Sequence, residues 1–217
     1  MGGEPGPGGP TPIVVAGPAA CGKTTFATAL ARRLRYALFD LDQVTGPLSA
    51  AALSLLGRAE HAFDEAGPGQ ELREARYASL LDAARANVAI GRGVVVAAPF
   101  TRELAGPSAW RDLVARLTGR APAPVAGAGP ASVALVFLEC PRSVVLERLR
   151  ARGAARDRLK LEDPGAVEQL VTDAPPRVPH LVVDGTIATE DQVERALAGL
   201  GLRAAVAAPT TAGGPGW

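Results

Sequence analysis

A chain of 217 residues with 23 basic and 22 acidic side chains is close to neutral, formally +1 at pH 7. Its hydrophobic fraction of 47% and charged fraction of 21% are those of a soluble globular protein, one domain long with room for an inserted lid and a sizeable core. The charge balance counts against a protein that grips a polyanion over a broad surface, and no apolar run approaches the ~20 residues of a membrane span.

The N-terminus, Met1-Gly2-Gly3-Glu4-Pro5, carries neither a basic region nor an apolar one, so no signal peptide is expected and the expected location is cytoplasmic. Glycine and proline crowd residues 1–12, 119–130 and 209–217. These stretches read as a disordered head (1–11), an internal loop and a disordered tail (204–217), leaving 12–203 as the folded domain. The two cysteines, Cys21 and Cys140, have no metal-ligand company and read as reduced thiols.

Five short apolar runs read as buried strands: Ile13–Ala16, Ala37–Phe39, Val94–Ala97, Val133–Leu138 and Leu181–Val183. They are apolar without alternation, as parallel strands covered on both faces are. Helical spacing separates them. Phe26, Ala27, Leu30, Ala31 and Leu34 follow the first strand, and Tyr77, Leu80, Leu81, Ala84 and Val88 precede the third, stopped by Gly91 and Gly93. Trp110, Leu113, Val114 and Leu117 give a further core-facing helix. Thr189 with Gln192 predicts a capping box ahead of Val193, Leu197 and Leu200. Strands alternating with helices imply an α/β domain built on a parallel sheet.

The first strand runs into Gly17-Pro18-Ala19-Ala20-Cys21-Gly22-Lys23-Thr24 and a helix follows at once. That is the strand–loop–helix setting of a P-loop, in which backbone N–H groups and a helix N-terminus face an anion. Lys23 is placed to reach the β- and γ-phosphates of a nucleotide, Thr24 to ligate Mg²⁺, and Thr25 to touch the α-phosphate. Nearly all the basic residues are arginine; the lysines are Lys23 and Lys160. One of the two therefore stands where a compact ammonium is wanted.

The order of motifs resembles the small P-loop kinases of the gluconate kinase and shikimate kinase type, within the AAA-domain ATP-binding kinases that also include chloramphenicol phosphotransferase-like enzymes. The likeness spans about residues 12–200. It implies a three-layer P-loop NTPase fold with a five-stranded sheet in the order 2-3-1-4-5 and a small Arg-rich lid at about 148–163. Phe39-Asp40-Leu41-Asp42-Gln43 is similar to the Asp-x-Asp of those kinases. The resemblance makes Asp40 a support for the metal and Asp42 the residue that orients or deprotonates the acceptor. Gly93-Val94-Val95-Val96-Ala97-Ala98-Pro99-Phe100 resembles their third strand but puts Ala97 where an acidic residue often stands, leaving the metal to Asp40 and Asp42 or catalysis in question. Glu147-Arg148 to Arg158 holds five arginines in eleven residues and looks like a lid. By that resemblance Arg148 lies over the adenine and Arg152 reaches the phosphates, supplying charge where phosphoryl transfer needs it. Val183-Asp184-Gly185-Thr186 is similar to the segment that passes the adenine, at Gly185.

The implied activity is transfer of the γ-phosphoryl group of ATP to a hydroxyl of a small molecule, with Mg²⁺, by a monomer or homodimer with no nucleic-acid or membrane partner. Acceptor contacts are expected from Asp42, from Arg73, Arg76 and Tyr77 on the helix before the third strand, and from Arg102; His61 is a weaker candidate, and His180 reads as structural. Two alternatives stay open. One is a nucleotide-hydrolysing or nucleotide-sensing regulator with no acceptor, which the missing carboxylate at Ala97 favours. The other is a kinase acting on a macromolecule.

Overall fold

The computed structural model describes residues 10–58, 68–120, 133–153, 161 and 175–202. The head and tail, His61, the internal loop from residue 121 and, apart from Leu161, the lid beyond Gly153 lie outside the described residues.

Five strands, β1 (Ile13–Ala16), β2 (Ala37–Asp40), β3 (Val94–Ala97), β4 (Ala134–Glu139) and β5 (Leu181–Asp184), pair in parallel in the order β2-β3-β1-β4-β5. This is the order that the motif resemblance implied. Helices α1 (Lys23–Leu34), α2 (Leu41–Leu55), α3 (Pro68–Ala89), α4 (Pro107–Thr118), α5 (Arg142–Arg152) and α6 (Thr189–Gly199) connect or follow them.

The inner strands lack polar alternation because they face two apolar layers, whereas edge strand β5 leaves Val182 exposed. Ile13, Val15, Val95, Ala97, Val136 and Leu138 pack on one side against α1, α5 and α6 through Phe26, Leu30, Val145, Leu149, Val193 and Leu197. On the other, Val14, Ala16, Val94, Val96 and Leu135 meet α3 and α4 through Tyr77, Leu80, Ala84, Leu113 and Leu117. Trp110 and Val114 pack against this second core while remaining partly exposed. The result is a three-layer α/β sandwich.

Several local expectations need correction. β2 and β5 each run one residue further than their apolar runs, to include Asp40 and Asp184, and β4 is displaced by one residue to Ala134–Glu139. Apolarity marks where a strand is buried, whereas backbone pairing carries on into the polar residues at its end. The capping box is not formed. Ala188 is the N-cap of α6 and makes no side-chain cap; buried Gln192 instead turns its amide back to the Ile187 carbonyl at 2.8 Å. Helix α2 had no periodic signature in the sequence. It buries Thr45 and Ser49, whose hydroxyls donate to the Leu41 and Thr45 carbonyls at 2.6 Å each, and exposes Leu48 and Leu55. That inverts the pattern an amphipathic helix is read by.

β2 is joined to β3 partly through Gly93, whose carbonyl accepts from Ala37 N–H at 2.9 Å. A Cβ at Gly93 would stand 2.4 Å from the Tyr36 ring. Gly93→Ala is therefore expected to destabilise the domain by about 1–3 kcal/mol through overpacking, measured as a lower denaturation midpoint at unchanged m-value. An unchanged midpoint would show that the Tyr36 ring moves aside freely.

Candidate functional site

The phosphate loop leaves β1 at Gly17, whose φ of 149° suits only glycine and where a Cβ would lie 2.6 Å from the Leu138 carbonyl oxygen. The loop turns at Ala20, itself left-handed at φ 56°, and at Gly22, φ 98°, which is the N-cap of α1. No side chain caps that helix, so its first N–H groups face the loop's concavity, the arrangement that binds phosphate oxygens. Lys23 is half-buried and donates to the carbonyls of Gly17 at 3.0 Å and Pro18 at 2.6 Å. Burial pushes its ammonium below the ordinary lysine range; Cys21, Asp40 and Asp42 oppose that shift and Arg152 adds to it.

Asp40 closes β2 and opens α2. Its Oδ1 accepts from the backbone N–H groups of Asp42 at 3.0 Å and Gln43 at 3.2 Å, and its Oδ2 accepts from Thr24 Oγ1 at 2.7 Å. A hydroxyl and a carboxylate thus meet at the mouth of the loop. This all-oxygen pair fits Mg²⁺, which is commonly held by one or two protein oxygens with phosphates and waters completing its shell. Among the described residues no cluster of three or more His, Cys, Asp or Glu side chains forms a protein cage for a metal. The register pairs Asp40 with Ala97 on the neighbouring strand, so the carboxylate missing from Ala97 has its counterpart one strand away.

On the other side of the loop, Arg148 of α5 binds it to the turn after β5. Its guanidinium donates to the carbonyls of Ala20 at 3.4 Å, Cys21 at 3.3 Å and Gly185 at 3.1 Å. A cavity of about 300 Å³ opens there, lined by Cys21, Gly22, Thr25, Arg148, Gly185 and Gln192 among others. Gly185 permits this closeness, since a Cβ would stand 2.9 Å from the Cys21 carbonyl oxygen. The turn is set by Asp184, whose Oδ1 accepts from Thr186 N–H at 2.8 Å and Thr186 Oγ1 at 2.6 Å. Those two bonds hold its carboxyl below the usual range. A second hollow of about 390 Å³ continues past Thr24 and Thr25 along α1 to Arg32.

The opposite flank is built from α2, α3 and the turn after β3. Asp42, in the first turn of α2, accepts at Oδ1 from Arg76 at 2.6 Å, and Arg76 also donates to Thr45 Oγ1 at 2.8 Å. Arg73 lies over the Tyr77 ring at 4.7 Å and reaches Thr101 Oγ1 at 3.4 Å. Tyr77 is buried edge-on against Phe100 at 5.6 Å. Burial pushes its phenol up to about 12, with Glu103 reinforcing and Arg73, Arg76 and a Phe100 backbone hydrogen bond opposing the shift.

The expected residues therefore fall into two groups on either side of Lys23. Gly17 to Thr25, Arg148 and Gly185 line the loop and the cavity, while Asp42, Arg73 and Tyr77 line the flank. Arg152, at the end of α5, lies near enough to Lys23 to act on its charge. Arg102 is turned outward to Glu74, 3.4 Å away, at the surface. Three contributors went unread: Thr45, which lies inside an unrecognised helix, and Gln192 and Ile187, whose placement follows from the cap that did not form. His180 is structural as expected, with Nδ1 2.7 Å from the Val178 carbonyl oxygen.

A family model described as an AAA domain matches residues 13–170. Among solved structures, the chain is similar to a gluconokinase from Sinorhizobium meliloti 1021, with 22% identity, TM-score 0.55 and coverage of 88% of this chain and 92% of that one. It is also similar to a sugar kinase from Janibacter sp. HTCC2649, with 22% identity, TM-score 0.57 and coverage of 92% and 99%. At these identities the likeness is one of fold. Among curated proteins, a tRNA dimethylallyltransferase from Anaeromyxobacter sp. (strain K) is 41% identical over 93 residues, 39% of this chain. The chain spans about 30% of the length of that relative. No helix among the described residues is long and apolar enough to cross a membrane.

The buried phenol gives a direct check on this flank. The chain has two tyrosines, Tyr36 and Tyr77, and burial raises both. A phenolate absorbance titration should show one step centred at about 12 that Tyr77→Phe removes. Because the folded value lies above the ordinary 10.0, the stability linked to Tyr77 is complete below pH 10 and is lost as pH rises through about 12. A Tyr77 step at its ordinary value would mean that the ring is solvated and the flank open.

Proposed function

This chain belongs to the AAA domain family, and from that premise we propose that it is an ATP-dependent kinase that transfers the γ-phosphoryl group to a hydroxyl of a small molecule. The observation that carries the reading is the Thr24–Asp40 contact of 2.7 Å at the mouth of the phosphate loop, with Asp42 two residues on. A phosphate loop, a magnesium-type oxygen pair and a carboxylate for the acceptor converge at the C-terminal ends of β1 and β2.

The roles follow from position. The loop N–H groups and Lys23 hold the β- and γ-phosphates, which requires Lys23 to exchange its carbonyl partners for phosphate oxygens. Thr24 and Asp40 would hold Mg²⁺, which would offset the negative charge of the nucleotide phosphates. Thr25 contacts the α-phosphate. Arg148 and Gly185 border the adenine, and Arg152 reaches toward the phosphates. Asp42, oriented by Arg76, accepts a hydrogen bond from the acceptor hydroxyl and aligns it for in-line attack. The new bond joins the acceptor oxygen to the γ-phosphorus, the bond to the β–γ bridging oxygen breaks, and the hydroxyl proton passes to Asp42.

The curated likeness favours a second reading. The 41% identity over 93 residues supports transfer of a dimethylallyl group to tRNA, as in that relative's name. In that case the γ-phosphate of ATP is not transferred, and tRNA affinity falls steeply with salt.

The decisive assay supplies γ-labelled ATP, Mg²⁺ and pooled hydroxylated metabolites, with Lys23→Ala as the blank. Label is expected in a small organic product, reduced at least about 10²-fold in a Lys23→Ala protein that retains its circular dichroism. Label released solely as inorganic phosphate, whatever the pool, moves the function to a nucleotide-hydrolysing regulator. With the acceptor in hand, Asp42→Asn should lower kcat by about 10²-fold or more at unchanged nucleotide Kd. Weakened ATP binding with kcat intact would remove Asp42 from the acceptor.

A further inference from the structure

One charged group on the acceptor flank has no part in this chemistry. Glu103 lies on the turn after β3, which begins at Phe100. Phe100 has a φ of 51°, a left-handed conformation that a bulky aromatic residue adopts only when its surroundings impose it. The turn is laid along α3. Thr101 Oγ1 accepts from Arg73 at 3.4 Å, Arg102 reaches Glu74 at 3.4 Å, and the Leu104 carbonyl accepts from Arg177 N–H at 3.2 Å. Between these ties lies Glu103, near enough to Tyr77 to act on its phenol.

Glu103 Oε2 is the one buried side-chain nitrogen or oxygen among the described residues with no hydrogen-bond partner. Native folds rarely leave such an atom, and a charged one is the costliest to leave. The residue as a whole is only half-buried, so part of its side chain stays open to a ligand.

The surroundings narrow what would satisfy it. Arg73, Arg76 and Tyr77 share one face of α3, so Glu103, beside Tyr77, and Asp42, bound to Arg76, sit at neighbouring points along it. Arg73 and Glu103 both act on the Tyr77 phenol, and Asp42 is paired with Arg76. The flank is thus close to neutral, and neither a cation nor an anion is called for. A carboxylate on the ligand would meet Glu103 directly, whereas a hydroxyl supplies the missing donor.

We propose that Glu103 is an acceptor-recognising residue whose carboxylate accepts a hydrogen bond from a second hydroxyl of a neutral, polyhydroxylated acceptor while the reacting hydroxyl lies at Asp42. The identity of the reacting hydroxyl rests on the kinase reading; the recognition by Glu103 does not.

The test is thermal unfolding of the full chain with a panel of neutral alditols and monosaccharides at millimolar concentration, for the unmutated protein and Glu103→Gln, run beside the γ-label assay. At least one polyol should raise Tm by a few degrees by binding the folded state. Glu103→Gln should abolish that rise without lowering the Tm of the ligand-free protein, because the amide relieves an unpaired charge. For a phosphorylated polyol, KM should rise at least about tenfold at unchanged KM for ATP. Glu103→Ala gives the same readouts if the glutamine protein fails to fold. The proposal is overturned if no neutral polyol shifts Tm, if carboxylated analogues alone do, or if the shift survives in Glu103→Gln. It is equally overturned if Glu103→Gln lowers the ligand-free Tm, which would mean that water already satisfies the carboxylate. A Glu103-dependent shift without labelled product would remove the kinase reading and leave the recognition standing.

Discussion

One carboxylate, Asp40, connects the three parts of the site. One of its oxygens caps α2 by accepting from two backbone N–H groups and the other holds the Thr24 hydroxyl at the start of α1. A buried acid at a strand end is costly unless each lone pair finds a donor, and here the donors come from two different helices. The geometry of α2 relative to the phosphate loop follows from that economy. Asp42 is placed by the same cap, because its own N–H is one of the groups Asp40 holds.

The sheet order gives this contact its context. With β1 central, the loop emerges between β3 and β4, and the groups from β2 and β5 approach it from opposite sides. Ligands of open α/β sheets lie at the C-terminal ends of the strands where connections diverge, and every feature of the site is found there. Arg148 is the counterpart of Asp40 on the other side. It is a cation satisfied by three backbone carbonyls, two from the loop and one from the turn after β5. The loop is thus held from both flanks by charged side chains bonded to neutral groups.

How much of this the sequence disclosed depends on the range of the interaction. The strands were legible because burial leaves continuous apolar runs, and the phosphate loop because it carries a fixed spacing; the strand order came from the resemblance to the small P-loop kinases and not from any periodicity. Gly17, Lys23 and Thr24 were singled out by that spacing, and Arg148 by the resemblance of its arginine-rich segment to a lid. Helix α2 was not legible, since its buried stripe of Leu41, Thr45, Ser49 and Leu53 is half hydroxyls bonded to its own backbone while Leu48 and Leu55 lie exposed; hydrophobic pattern marks such a helix only weakly. The partner of Lys23 in the ligand-free loop, the pairing of Asp42 with Arg76 and the outward turn of Arg102 are contacts between residues distant in sequence or made through backbone carbonyls. Spacing alone does not encode them. The expected capping box at Thr189 failed because the helix already begins at Thr189, with Ala188 one residue earlier as its cap, and Gln192 becomes a brace for the Ile187 carbonyl.

The two cores also divide the labour of the site. Helices α1 and α5, which carry Lys23, Thr24 and Arg148, pack on one face of the sheet, and α3, with Tyr77, packs on the other. The sheet between them keeps the two sets of packing contacts apart, so a substitution within the α3 layer need not disturb the packing that supports the phosphate loop.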